Sequence, residues 1–371
     1  MRPLPVSYVR NLLPVVHGGV DYQEIASKGL KVEDIVDFSV SINPFPSHEE
    51  VLQAALSSEL RVYPDRYSGA LRDRLASLNG VEPSSVIVTN GASQAIWLVA
   101  MAYLKAGRKA SVVAPAYGEY AAPSIAMGAE ISMWDFSRSM LWGAPDMDTL
   151  LCDRIASDPP TILWLCSPNN PTGYTAREDQ IGRLIECCSL GPTILVVDEA
   201  YRNFMADPPR LERFLSSRRL ILLRSMTKDY GLPGVRLGYA LGSDEAIKAM
   251  SSVQPDWSVG AQAQSVGMAV LDKEGYYREQ WRDLRAEKAR LFDSLKGMGI
   301  TVIPGEANFV LCHHPRSDEI MAYLKGKNIL VRDCRSFGLE GFFRIGVKTR
   351  DVDDVLLGAI SSFFANERRS R

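Results

Sequence analysis

Seven short apolar runs recur through the middle of the chain, at residues 86–89, 111–114, 130–134, 161–166, 193–198, 220–224 and 237–241. Several of them, such as Ile-Leu-Trp-Leu-Cys at 162–166 and Ile-Leu-Val-Val at 194–197, carry no polar alternation. A strand with one wet face alternates, so an unbroken apolar run of this length belongs in a sheet covered on both sides. Helix-period segments at 69–78, 94–105, 120–127 and 177–188 lie between the runs and supply that cover. The pattern predicts an α/β fold built on a mostly parallel seven-stranded sheet with covering helices.

After Gln254-Pro255 the texture changes. A long charged helical stretch at 274–296 is followed by strand signals at 301–303, 308–312, 329–332 and 342–347, which predicts a smaller α+β domain. A chain of 371 residues has room for both. The expected division is an N-terminal arm at 1–45 that contributes to the small domain and the site, a large domain at 46–255, and a small domain at 256–371. The polar, basic tail at 366–371 is expected to fray.

Composition narrows the function classes. With 42 Lys+Arg against 44 Asp+Glu the formal net charge is −2, which gives no global attraction to nucleic acid or to anionic lipid. No helix-turn-helix or basic region stands in residues 1–43, so a regulator carrying a DNA-binding module there is disfavoured. The N-terminal stretch is interrupted by Arg10 and three prolines, and the most apolar segment, 95–104, is far short of the ~20 residues a spanning helix needs. A cytoplasmic protein with no membrane partner is expected. The six cysteines form no CxxC pair and have no histidine at zinc-ligand spacing, so reduced, mostly buried thiols and no metal are expected.

Four segments fall at or just beyond strand ends, where open α/β sheets hold their ligands. Asn90-Gly91-Ala92-Ser93-Gln94 places small residues at a helix start, where free backbone N–H groups can hold a phosphate. A plain strand-to-helix turn looks the same. Ser167-Pro168-Asn169-Asn170-Pro171-Thr172-Gly173 sets two amides in a rigid turn, with a purely structural turn as the alternative. Asp198-Glu199-Ala200-Tyr201 puts a carboxylate at a strand end, where it either serves a site or caps the next helix. Ser225-Met226-Thr227-Lys228 leads through a Gly/Pro turn to Arg236. A lysine in that position is poorly explained as a solvated surface charge, and Arg236 close by would lower its pKa and favour the free amine.

Together the four segments supply a phosphate cradle, a lysine able to form an imine, and an aspartate able to hold a pyridinium proton. Those are the parts a pyridoxal 5'-phosphate site requires.

Ser-Pro-Asn-Asn-Pro-Thr-Gly, Asp-Glu-Ala-Tyr and Ser-Met-Thr-Lys-Asp-Tyr-Gly-Leu-Pro-Gly-Val-Arg-Leu-Gly-Tyr, in this order and spacing, resemble the fold-type I pyridoxal-phosphate enzymes of the class I/II aminotransferase superfamily. The resemblance covers nearly the whole chain. It implies that Lys228 binds the cofactor aldehyde, that Asp198 meets the ring nitrogen, and that Tyr201 and Asn170 donate to the ring O3'. It also implies that Gly91, Ala92, Ser93, Ser225 and Arg236 hold the cofactor phosphate and that Tyr117 stacks on the ring. Tyr63 matches a tyrosine that in relatives reaches the neighbouring subunit's phosphate, which implies a homodimer.

Within the superfamily the chain is most similar to two groups that handle small phosphorylated amino-acid or amino-alcohol substrates: histidinol-phosphate aminotransferases and the threonine-phosphate decarboxylases of cobalamin synthesis. Both share a C-terminal arginine pair, here Arg332 and Arg344. His17-Gly18-Gly19, the segment Asp37-Phe38-Ser39-Val40-Ser41-Ile42-Asn43-Pro44 and Asp256-Trp257-Ser258-Val259 resemble the decarboxylases more. The resemblance therefore implies decarboxylation of L-threonine O-3-phosphate, with His17, Asn43, Arg332 and Arg344 at the substrate and transamination of histidinol phosphate as the rival. His17 is equally readable as a turn histidine. Ser41, Asp256 and Gly260 depart from the decarboxylase pattern.

Overall fold

A computed structural model describes residues 6–10, 12, 14–27, 29–143 and 147–370. Residues 1–5, 11 and 13 of the N-terminal stretch lie outside the described residues, as does Arg371 of the tail. Strand β1 (Val36–Asp37) precedes the large sheet, formed by β2 (Val86–Thr89), β3 (Lys109–Ala114), β4 (Glu130–Asp135), β5 (Ile162–Cys166), β6 (Ile194–Asp198), β7 (Leu220–Ser225) and β8 (Gly238–Leu241). The spatial order is β2-β8-β7-β6-β5-β3-β4. β8 runs antiparallel to both neighbours, and the β7-β6-β5-β3-β4 ladder is parallel throughout. Every residue of β2, β5, β6, β7 and β8 is buried, as unbroken apolar runs require.

The covering helices include α1 (Gly69–Asn79), α2 (Gly91–Tyr103), α3 (Met147–Ser157) and α4 (Glu178–Ser189). They split the interior into two apolar layers. One, on the α2 side, contains Ile87, Val112, Trp164, Val196 and Leu223; the other, continuous with the small domain, contains Val88, Leu163, Leu195, Val197 and Leu222. Residues two apart along each strand fall in the same layer.

In the C-terminal part, α5 (Glu274–Gly297) packs beside a four-stranded sheet of order β12-β13-β10-β9, with β9 (Thr301–Ile303), β10 (Phe309–His313), β12 (Arg332–Asp333) and β13 (Phe342–Gly346). β1 pairs in parallel with β11 (Ile329–Leu330), so the N-terminal arm is stitched to this part of the molecule. A last helix, α6 (Arg350–Ser370), includes the segment expected to fray. Glu306 N–H donates 2.8 Å to the Gly173 carbonyl, which joins the prolyl-asparagine turn after β5 to the loop between β9 and β10.

The cysteine expectation is corrected at one pair. Cys152 on α3 and Cys187 on α4 are disulfide-bonded, with their Cα atoms 5.6 Å apart. The two helices lie side by side on one face of the sheet, which brings together positions 35 residues apart that no local spacing connects. Cys166, Cys188, Cys312 and Cys334 are free and buried.

Candidate active site

β5, β6 and β7 end side by side, and their ends carry the residues that matter. Burial favours the neutral form of the Asp198 carboxyl and pushes its pKa up, while three influences oppose this: the Lys228 charge, a hydrogen bond from the Tyr120 hydroxyl to Oδ2 at 2.7 Å, and one from the Ala200 N–H to Oδ1 at 2.9 Å. Lys228 lies just past β7, with Nζ 4.5 Å from the centre of the Tyr201 ring. The expected lowering of its pKa does not occur. Burial opposes the ammonium, but Tyr201, Asp198, Tyr117 and Cys166 outweigh it and hold the group above its usual range. Arg236 is engaged elsewhere, donating 3.1 Å to the Pro233 carbonyl and resting against Gly91.

That contact defines a cradle. Gly91, Ala92 and Ser93 are the first three residues of α2, whose amides have no partner within the helix. Gly91 has φ +72, and a Cβ there would stand 2.9 Å from the Arg236 guanidinium. Gly238 on β8 lets the helix start approach: a Cβ would come within 2.7 Å of Ala92 N. The Ser225 and Thr227 hydroxyls share a 2.7 Å hydrogen bond.

A cleft of about 650 Å³ opens above these groups, lined by Lys228, Tyr117, Tyr201, Asn170, Thr227 and Arg236 beside the large sheet and by Arg332 and Arg344 on the four-stranded sheet. Arg332 and Arg344 are directly opposite each other on β12 and β13, and both are buried. Two like charges facing each other across strands repel. Among the described residues neither has a carboxylate partner. Arg332 donates to the Val16 carbonyl (2.8 Å) and the Ser336 hydroxyl (2.7 Å), and Arg344 to the Asn170 side-chain oxygen and the Ser39 carbonyl (2.9 Å). Arg344 Nε has no hydrogen-bond partner among the described residues. Burial and the charge of Arg344 both push the pKa of Arg332 down. Such a pair is built to receive an anion.

His17 stands at the cleft mouth, half exposed, 2.8 Å from Glu119 and 5.9 Å ring to ring from Tyr117. Burial raises the Tyr117 phenol to about 12, so it stays neutral and serves as an aromatic face. Two expected site residues lie elsewhere. Asn43 does not line the cleft: it is buried, its N–H donates 2.7 Å to the Lys228 carbonyl, and its carboxamide is spent on the Asp229 carbonyl, Gln280 and Phe45 N–H. It braces the lysine loop, with both amide hydrogens engaged away from the cleft. Tyr63 is 76% exposed and stacks on Trp257 at 4.6 Å, outside its own chain's cleft. Of the three departures from the decarboxylase pattern, Asp256 pairs with Arg66 at 2.7 Å on the surface and Gly260 precedes a helix at Ala261–Asp272; Ser41 alone of the three lines the cleft.

Two groups were not legible in the sequence. Tyr120 holds Asp198 from 78 positions away. Arg224, buried, spans Glu199 (2.8 Å), Glu212 (2.6 Å) and Asn79, and so ties the ends of β6 and β7 to α1.

A buried carboxylate, a buried ammonium, an aromatic face and a helix-start cradle closed by an arginine suit a phosphorylated pyridine aldehyde. They define a pyridoxal-phosphate enzyme. Known proteins agree: residues 33–360 match the family model for aminotransferase class I and II, and the chain belongs to that family. It is 31% identical over 325 residues to the histidinol-phosphate aminotransferase of Caldanaerobacter subterraneus subsp. tengcongensis, covering 85% of this chain and 90% of that one. It is also 31% identical over 352 residues to the threonine-phosphate decarboxylase of Salmonella typhimurium, covering 93% and 95%. The crystal structure of the Sinorhizobium meliloti histidinol-phosphate aminotransferase in complex with pyridoxal-5'-phosphate superposes with a TM-score of 0.84 at 19% identity, covering 96% of this chain and 98% of that one. Among the described residues no helix is long and apolar enough to cross a membrane.

Proposed function

We propose that this enzyme decarboxylates L-threonine O-3-phosphate to (R)-1-amino-2-propanol O-2-phosphate, as a step of cobalamin synthesis, working as a cytoplasmic homodimer. The Arg332–Arg344 pair, two buried guanidiniums opposite each other in one cleft with no carboxylate hydrogen-bonded to either among the described residues, supports an anionic substrate. Because both enzyme groups share it, the choice of the decarboxylase rests on the resemblance of residues 17–19, 37–44 and 256–259. A substrate with a carboxylate and a phosphate close together supplies two anionic groups for two guanidiniums, whereas histidinol phosphate supplies one.

Lys228 would hold the cofactor aldehyde, Asp198 its ring nitrogen, Asn170 and Tyr201 its O3', and Gly91, Ala92, Ser93, Ser225 and Arg236 its phosphate. Pyridoxal phosphate, when bound, supplies the electron sink that accepts the pair released as CO₂ leaves. Arg332 and Arg344 orient the substrate by its anions, and His17 stands at the mouth beside them. The orientation that Arg332 and Arg344 impose on the substrate would decide which of its bonds is presented to the cofactor. Lys228, its amine freed when the substrate amine takes its place on the cofactor aldehyde, would then be the group that delivers a proton to Cα. Tyr63, stacked outward on Trp257, is available to a second subunit's phosphate site.

Similarity to histidinol-phosphate aminotransferases over most of the chain favours a second reading, transamination of histidinol phosphate on the same cofactor site. The test is CO₂ release from threonine phosphate with no keto acid present, run beside histidinol phosphate with 2-oxoglutarate. CO₂ in the first assay supports the decarboxylase. No CO₂ there, with glutamate formed in the second, replaces it by the aminotransferase.

A further inference from the structure

A chain of rings runs from the cleft mouth into the sheet interior: His17 to Tyr117 at 5.9 Å, Tyr117 edge-on to Tyr120 at 5.8 Å, and Tyr120 stacked on Trp164 at 5.4 Å with the planes 11° apart. Tyr120 is fully buried, and its hydroxyl donates 2.7 Å to Asp198 Oδ2. We propose that Tyr120 is a positioning residue for the cofactor ring: it fixes the carboxylate that meets the ring nitrogen and seats the aromatic that covers the ring face. The inference rests on the assignment of Asp198 and Tyr117 to the cofactor.

A carboxyl group this deep is favoured as the neutral acid, and a neutral acid would compete with the ring nitrogen for the proton that makes the ring an electron sink. Donors to the charged form prevent that. The Lys228 charge is one stabiliser, but the cofactor aldehyde takes that amine, so its contribution is not constant. The Ala200 N–H is backbone and is fixed by the turn. Tyr120 is the side-chain donor whose contribution persists whatever Lys228 is doing. Its ring contacts set the depth at which the hydroxyl meets Oδ2, because the stack on Trp164 holds one face and the edge of Tyr117 meets the ring.

The test uses holoenzyme reconstituted with pyridoxal phosphate labelled with ¹⁵N in the ring, in wild type, Tyr120→Phe, Asp198→Asn and the double variant. Phenylalanine retains the ring contacts, so the fold and the Trp164 stack persist. In wild type the ring ¹⁵N resonance is expected at the protonated position. In Tyr120→Phe it moves toward the unprotonated value, and cofactor affinity falls by about tenfold, as expected when a hydrogen bond to a charged group is lost. In the Asp198→Asn background the same change costs less than about twofold, because the residue through which Tyr120 acts is already neutral. An unchanged resonance and affinity in Tyr120→Phe, or equal losses in both backgrounds, makes Tyr120 a packing residue and overturns the proposal alone. An unprotonated ring in wild type overturns the Asp198 assignment and this proposal with it.

Discussion

Asp229 follows the lysine directly and is buried, with Oδ2 accepting from the Asn203 amide at 2.6 Å and Oδ1 from the Tyr230 N–H at 3.1 Å. Burial is the largest influence on it and pushes its pKa to about 7. An unfolded aspartate titrates near 3.9. Between these values the folded state binds a proton that the unfolded state has lost, so stability is fully present below about pH 4 and declines as pH rises through about 7. A shift of roughly 3 pH units corresponds to an upper limit on the order of 4 kcal/mol across that window. Asp229→Asn keeps the shape and an acceptor for Asn203 but cannot ionise. Its fixed cost, one altered hydrogen bond at Tyr230, is about 1 kcal/mol and does not vary with pH. The assay is urea unfolding of both proteins at pH 5, 6, 7 and 8 with identical cofactor and protein concentrations. The variant is expected to gain on the wild type with each step and to be the more stable at pH 8. Other buried carboxyls, such as Asp353, titrate in both proteins and cancel in the difference. A difference that stays constant from pH 5 to 8 would refute the reasoning.

The remaining predictions concern the site and its frame. Borohydride treatment of the holoenzyme should fix a pyridoxyl group at Lys228, read by peptide mass spectrometry; a label on another lysine contradicts the assignment. Arg344→Lys preserves charge but loses the planar fork, so kcat/KM for the phosphorylated substrate should fall by at least about a hundredfold, roughly 3 kcal/mol, with cofactor affinity little changed. Tyr63→Phe should weaken cofactor binding by roughly 1–3 kcal/mol, and light scattering should show a dimer; a fully active monomer contradicts the shared site. Arg224→Met leaves buried Glu199 and half-buried Glu212 with Arg202 alone as their cationic partner, at 3.5 Å from each, and should cost about 3 kcal/mol in urea unfolding.

The large sheet was legible because burial on both faces is written into consecutive residues: seven apolar runs correspond to seven strands, within one or two residues at each end. Lys228, Asp198 and the start of α2 were legible for a related reason, since a strand end is itself a local feature and open α/β sheets hold ligands there. Helices α3 and α6 are not among the segments that the sequence pattern predicts. What the sequence could not contain is pairing between distant positions. The register of β12 on β13 sets Arg332 directly against Arg344, a juxtaposition that residues twelve apart in the chain do not themselves specify. Packing of α3 on α4 decides that Cys152 and Cys187 are bonded. The fold of the arm onto the lysine loop turns Asn43 from a substrate residue into a brace, and the depth of the Tyr120 ring decides that Asp198 has a side-chain donor. Periodicity is a property of neighbours in the chain; hydrogen bonds and charge pairs are properties of neighbours in space, and only the packed structure chooses those.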